Sequence, residues 1–241
     1  MSYYRLNRAA IPNCLRIGAE QIPVLIIDNF FEHTKPLIDL ATDEQEHEFS
    51  AQLDNYYPGI RKPMVGDYAD QICQHYSAII SARYAFNPEQ TQAHPLMSAF
   101  AITSTPANQL TPIQMVPHFD STDVQQFAIV HYLCSATHGG TAFYRHRSSG
   151  FETINDERLV PYGSELKQQA IAAQLHKQPG YIDGNSELFE QIHCVSAAMN
   201  RAIIYPSNLL HSGHINTEQG LSADPKRGRL TVSTFISFRA C

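Results

Sequence analysis

Four residues, far apart along the chain, carry side chains suited to one piece of chemistry. His118 and Asp120 stand two apart in VPHFDSTD, His211 lies in YPSNLLHSGHI, and Arg229 opens the run RLTVSTFI. On an extended segment side chains alternate between faces, so His118 and Asp120 point the same way and can converge on one ion. A second imidazole from His211 completes a set of two histidines and one carboxylate. That donor set holds non-haem iron(II) and leaves coordination positions free for oxygen chemistry. Arg229, Thr231 and Ser233 share one face of the last apolar run, and Leu230, Val232 and Ile236 share the other. A guanidinium at the head of such a strand costs several kcal/mol if buried alone, so an anion is expected opposite it. A carboxylate gripped through two parallel hydrogen bonds fits best. Two alternatives stay open. His214 competes with His211, and three apart on a strand only one of them points inward. Arg227 shares strand parity with Arg229, which is preferred because Gly228 breaks the strand between them.

These residues need a scaffold to bring them together. With 241 residues, 43% of them hydrophobic, the chain can bury a full core and is expected to form a single domain over residues 1–241. A formal charge of -6 with only 17% charged residues leaves no basic face, which argues against nucleic acid or an anionic membrane as partner. Five widely spaced cysteines without a CxxC pair indicate neither a disulfide framework nor a zinc knuckle. The amino-terminal stretch lacks the apolar core of a signal peptide, and no run reaches transmembrane length, so a soluble cytoplasmic protein is expected.

Residues 1–94 read as a support region: a buried strand from Pro23 to Asp28, a short helix carrying Leu37, Leu40 and Ala41, and a longer helix from Asp67 to about Tyr84. Residues 95–241 read as a β-rich core of short strands, LMSAFAITS, IQMVPHFD, FAIVHYLC, TAFYRH, RAIIYPSN and RLTVSTFISF. Residues 147–200 interrupt that pattern with an expected helix from Ser164 to His176, an insertion of the kind that often forms a lid. His131 is expected to pack away from Tyr132. His138 and His146, beside turns, are expected to be solvated.

At FAIVHYLCSATHGGTAFY the chain resembles the iron(II)/2-oxoglutarate-dependent dioxygenase superfamily, in particular enzymes of the prolyl-4-hydroxylase type. The order His118-x-Asp120, Tyr132-Leu133, Gly139-Gly140-Thr141, Phe143, His211 and Arg229 follows that family's order. The resemblance covers about residues 95 to 145 and 200 to 238, although the stretch from Ser212 to Gly228 is longer than the family's usual connection. It implies an α+β protein with a mostly β core, a double-stranded β-helix (jelly roll) supported by helices from the amino-terminal part. It further implies that His118, Asp120 and His211 hold Fe(II), that Arg229 pairs with the distal carboxylate of 2-oxoglutarate, and that Tyr132 and Thr231 assist there. The expected reaction is hydroxylation of a small molecule or peptide side chain with O2, releasing succinate and CO2. Two rival readings keep the scaffold but not the reaction. One is a cupin-like metal-dependent oxygenase that does not use 2-oxoglutarate; the other is a non-catalytic jelly roll that binds a ligand or partner.

Overall fold

The computed structural model describes residues 3–43, 45, 47–51, 56–87, 89–219 and 221–240. Its elements run β1 (Asn13–Ile17), β2 (Ile22–Ile27), α1 (Lys35–Thr42), β3 (Gly59–Pro63), α2 (Tyr68–Tyr84), β4 (Thr91–Thr103), β5 (Gln126–Tyr132) and β6 (Gly139–His146). There follow α3 (Asp156–Ala172), β7 (Phe189–Ser196), β8 (Arg201–Pro206), β9 (His211–Ile215) and β10 (Arg229–Ala240). The strands form two antiparallel sheets, one of seven strands in the order β1-β2-β8-β5-β10-β4-β3 and one of three in the order β7-β6-β9. The result is a β-sandwich of jelly-roll kind with helices on its outer faces.

Side-chain alternation sorts the residues of β5 and β10 into two cores. Phe127 and Ile129, with Leu230, Val232, Ile236 and Phe238, face outward from the large sheet. There they meet Leu37 and Ala41 of α1 and the stripe Tyr68, Ile72, Tyr76 and Ile80 of α2, spaced for one helical face. Ala128 and Tyr132 face the other way, into the space between the sheets, with Phe143, Val195, Ile203, Tyr205 and Leu209. A third cluster covers the outer face of the small sheet, where Tyr162 of α3 packs near Tyr144, Phe189 and Leu210. Each large apolar side chain buried in this way contributes about 1.5–3 kcal/mol. β2, IPVLII, is flanked by β1 and β8 and is buried along nearly its whole length, which explains its continuous apolar run.

α2 begins at Tyr68, as its sequence predicts, but Asp67 does not cap it through its side chain; instead its Oδ1 accepts from Gln71 Nε2 at 3.0 Å. The helix expected from Ser164 starts at Asp156, where the Asn155 side chain accepts the Arg158 amide. Pro161 and Gly163 are both residues that disfavour a helix interior. Yet Pro161 sits in the second turn and α3 passes through it, while the chain leaves the helix at Ala172 rather than His176. Within residues 147–200, α3 thus clads the small sheet, and Phe189–Ser196 supplies that sheet's edge strand. His131 lies on the helix side, fully buried, between Tyr68 Oη at 2.9 Å and Asn200 Oδ1 at 3.0 Å. His146 is not solvated: it is fully buried and bonded to Ser149 Oγ and Gln169 Oε1, both at 2.8 Å, because α3 closes over it. The four described cysteines, Cys14, Cys73, Cys134 and Cys194, are free, and Cys241 lies outside the described residues.

The Gly139-Gly140 pair has a steric cause. β6 runs so close to both neighbours that a Cβ on Gly139 would lie 1.9 Å from the His214 carbonyl oxygen and one on Gly140 would lie 2.1 Å from that of Val195. Gly139 also holds φ at +96°, open to glycine but to few other residues. No helix among the described residues is long and apolar enough to cross a membrane.

Candidate metal centre

The segment IQMVPHFD, expected as a strand, is a 3-10 turn over Pro112–Met115 followed by a single β-bridge. Pro112 favours the tight turn, and Pro117 cannot donate to a ladder. The bridge joins His118 to His211 through two backbone hydrogen bonds, each 2.8 Å, and so lays the His118 segment along β9 at the edge of the small sheet. Two residues on, the Asp120 amide donates to the Ser207 carbonyl at 2.7 Å. Asp120 is therefore pinned by the turn that follows β8, not by a strand.

This backbone framework brings the ligand atoms of His118, Asp120 and His211 within 4.8 Å of one another. His118 Nε2 lies 3.8 Å from Asp120 Oδ1, and His211 Nε2 lies 3.5 Å from Asp120 Oδ2. The two imidazoles are 4.3 Å apart between centroids and inclined at 50°. The side chain of His211 is only 6% exposed and that of Asp120 19%, whereas half of the His118 side chain reaches solvent, so the cluster is walled on one side and open on the other. His211 Nδ1 donates to the Leu209 carbonyl at 2.8 Å. A carbonyl can only accept, so the proton is fixed on Nδ1 and the lone pair of Nε2 is turned toward Asp120. Burial pushes the His211 imidazole down to about 4; the His118 ring is lowered by desolvation on its walled side and by the neighbouring His211 and Arg61, with Asp120 opposing. Both rings are thus neutral near pH 7, the form in which histidine binds a metal. Two neutral nitrogens and one carboxylate oxygen suit a divalent first-row metal ion.

His214 is directed elsewhere. Its Nε2 contacts Asp183 Oδ1 at 3.1 Å and its Nδ1 contacts Cys194 Sγ at 3.7 Å. The alternation along β9 therefore separates the two histidines as their spacing predicts.

Arg229 heads β10, is 4% exposed and faces the inter-sheet space. Its Nη2 donates to the Gly140 carbonyl at 2.6 Å, its Cζ lies 5.7 Å from the Tyr132 ring centroid, and its Nε has no partner among the described residues. Arg227 is exposed in the preceding turn, where its carbonyl accepts from His138 Nε2 at 3.1 Å. Gly228 separates them because a Cβ there would meet the Ser222 carbonyl oxygen at 2.0 Å. The Tyr132 hydroxyl shares a 2.6 Å hydrogen bond with Thr141 Oγ1, and Thr231 Oγ1 donates to the Ala101 carbonyl at 3.3 Å. Both hydroxyls flank Arg229, and both are already engaged by the protein.

Tyr205 links the two halves of the site. Its ring lies 4.8 Å from that of His211, and its hydroxyl pKa is raised by burial, by Asp120 and by Tyr132 and eased by Arg229. Three further residues not singled out by the sequence reach this chamber. Tyr57 and Tyr181, held by Thr103 Oγ1 at 3.1 Å and by the Thr105 carbonyl at 2.7 Å, both feel the Arg229 charge. Arg61 stands over Tyr57 and interacts with Asp120. Arg61 lies in Gly59–Pro63, too short to read as a strand, and Tyr57 and Tyr181 lie outside any helix or strand, so nothing in the sequence marked them.

Comparison with known proteins places this geometry in context. Solved structures similar to the chain include HygX from Streptomyces hygroscopicus with nickel and 2-oxoglutarate bound, at 8% identity and TM-score 0.49, covering 90% of this chain and 84% of that one. EvdMO1 matches at 14% identity and TM-score 0.43, covering 88% of this chain and 47% of that one. AviO1 from Streptomyces viridochromogenes Tue57 matches at 13% identity and TM-score 0.41, covering 85% and 80%. No curated protein sequence matches the chain. Residues 8–236 match the model of a family of unknown function (DUF6445), and the chain belongs to that family.

Proposed function

We propose that this chain is an iron(II)- and 2-oxoglutarate-dependent oxygenase with a double-stranded β-helix core, hydroxylating a small molecule or a peptide side chain. The observation that carries this reading is that the His118, Asp120 and His211 donor atoms cluster, and that Tyr205 joins them to a buried Arg229 guanidinium with no carboxylate partner among the described residues. The metal ion would be held by the three donors and, with 2-oxoglutarate chelated to it, would supply the activation of O2. The protein's own part is positioning. The Leu209 carbonyl sets the His211 tautomer, Arg229 takes the distal carboxylate of the cosubstrate, and Tyr132 and Thr231 line that end. Tyr205 and Phe143 keep the chamber apolar around the reacting end. Because Asp120 occupies the carboxylate position, oxygen transfer is the favoured outcome over halogenation.

The test is an anaerobic titration of metal-free protein with Fe(II) and then 2-oxoglutarate, followed by visible absorption. A charge-transfer band that needs both additions and is absent in His118→Ala is the expected result. Under air, succinate should form in step with oxygen consumed. Bound iron without a band, or oxygen uptake without succinate, would sink the 2-oxoglutarate reading.

A further inference from the structure

Arg61 has no place in the reaction just described, yet it shares the chamber. The strand registers show why. Arg61 of β3 pairs with Ala101 of β4, Ala101 with Thr231 of β10, and Thr231 with Tyr132 of β5. Directly paired residues of neighbouring strands point to the same face, so Arg61 lies on the inner face in the row of Thr231 and Tyr132. The next row holds Gly59, Thr103 and Arg229. Lys62, of opposite parity, is buried on the helix side, where its Nζ donates to the Leu40 carbonyl at 2.8 Å. Ala101, between Arg61 and Thr231, is too small to screen the guanidinium from the chamber.

Among the described residues the Arg61 side chain is held but not neutralised. Its Cζ stands 4.5 Å from the Tyr57 ring centroid, a cation–π arrangement that fixes the plane of the guanidinium. Tyr57 is in turn anchored on Thr103, the cross-strand neighbour of Arg229. Among the described residues, Arg61 Nε is buried without a partner and no carboxylate comes within ion-pair distance of it. Among the described residues the acid that interacts with it is Asp120, which the proposed function assigns to the metal ion.

We infer that Arg61 is a second anion-binding point in the chamber and that the substrate presents a carboxylate or phosphate group to it. This rests on the iron and 2-oxoglutarate reading. In that complex the doubly positive metal ion and Arg229 offset Asp120 and the doubly negative cosubstrate, so the charge of Arg61 remains unbalanced. An oxyanion on the substrate restores neutrality and engages the idle Nε–H edge with the bidentate geometry that guanidinium groups favour. It also fixes the substrate at one end, beside the metal, so that one carbon is presented for oxidation.

Mn(II), which does not support turnover, makes the inference testable without knowledge of the substrate. Protein loaded with Mn(II) and saturating 2-oxoglutarate is titrated with N-acetylglycine, methylphosphonate or neutral N-acetylglycinamide, and broadening of the probe's proton resonances reports approach to the metal. At least one anion should broaden and the neutral amide should not; which anion does so separates a carboxylate from a phosphate source. In Arg61→Gln anion affinity should fall on the order of tenfold or more while 2-oxoglutarate affinity stays within about twofold, and Arg61→Lys should fall between. Equal broadening in wild type and Arg61→Gln, or none with either anion, overturns the inference. So does a loss of 2-oxoglutarate binding in Arg61→Gln, which would make Arg61 the cosubstrate clamp. Failure of wild-type protein to bind Mn(II) or 2-oxoglutarate, seen before any probe is added, instead overturns the reading beneath it.

Discussion

Replacing Arg229 by methionine should trade ligand binding for stability. The guanidinium is 4% exposed, and among the described residues its Nε has no partner and its hydrogen bond runs from Nη2 to the Gly140 carbonyl. Removing a buried charge that lacks a counter-charge relieves desolvation, whereas losing the Gly140 contact costs about 1 kcal/mol. The metal-loaded variant should therefore melt no lower than wild type, and at most a few degrees higher at about 2–4 °C per kcal/mol for a chain of this size. Cosubstrate binding changes far more. Two charge-assisted hydrogen bonds at roughly 1.5 kcal/mol each amount to about 3 kcal/mol, on the order of a 100-fold rise in Kd. At a 2-oxoglutarate concentration 100 times the wild-type Kd, mass action stabilises wild type by about 2.7 kcal/mol, about 5–10 °C, but the variant by only about 0.4 kcal/mol, about 1 °C. Thermal melts of Mn(II)-loaded protein with and without 2-oxoglutarate measure both quantities at once. A variant that melts many degrees lower yet keeps the full cosubstrate shift would show Arg229 to be a structural strut and would refute the argument.

The donor cluster predicts a simple split among the histidines: His118→Ala, Asp120→Ala and His211→Ala should each lose stoichiometric Fe(II) in anaerobic metal analysis. His214→Ala, whose ring contacts Asp183 and Cys194 instead, should retain it. Stability against pH should report on His131, whose pKa burial lowers to about 4, opposed by its bond to Asn200. The unfolded imidazole titrates near 6.5, so below that pH the unfolded state binds the extra proton. His131 thus contributes stability that is complete above about pH 6.5 and is lost as pH falls, reaching about 3 kcal/mol by about pH 4. In denaturant titrations, His131→Gln should flatten the curve across that window by close to one proton's worth of slope; an unchanged slope would mean that His131 is already charged in the fold.

Two kinds of residue were legible in the sequence, for different reasons. The core strands declared themselves because alternation is a local property: Leu230, Val232 and Ile236 face one core while Arg229 and Thr231 face the other, as their parity requires. Of the two choices left open, alternation groups His211 with His118 and Asp120 and turns His214 toward Asp183, while the close approach of backbone at Gly228 leaves Arg227 in the preceding turn and Arg229 at the head of β10. Where local rules failed, a long-range contact had replaced them. The strand expected at His118 is a turn held by one bridge to His211, ninety-three residues away by numbering, and nothing within VPHFDSTD encodes that partner. α3 runs through Pro161 because Tyr162 finds a buried place over the small sheet, which offsets the hydrogen bond that proline removes.

Arg61 shows the remaining gap most sharply, because its neighbours in the site come from every part of the chain. β3 is only five residues long and joins the large sheet at its edge, so its alternation carries little information until β4 fixes the register. Once Arg61 pairs with Ala101 and Ala101 with Thr231, the face on which the guanidinium lies is determined, and with it the chance of meeting Asp120 and Tyr57. A basic residue in a short, ordinary segment thus acquires chemical meaning only through sheet order. The grouping of His118, Asp120 and His211 could be guessed from residue types and spacing, whereas the place of Arg61 is written in which strands lie side by side.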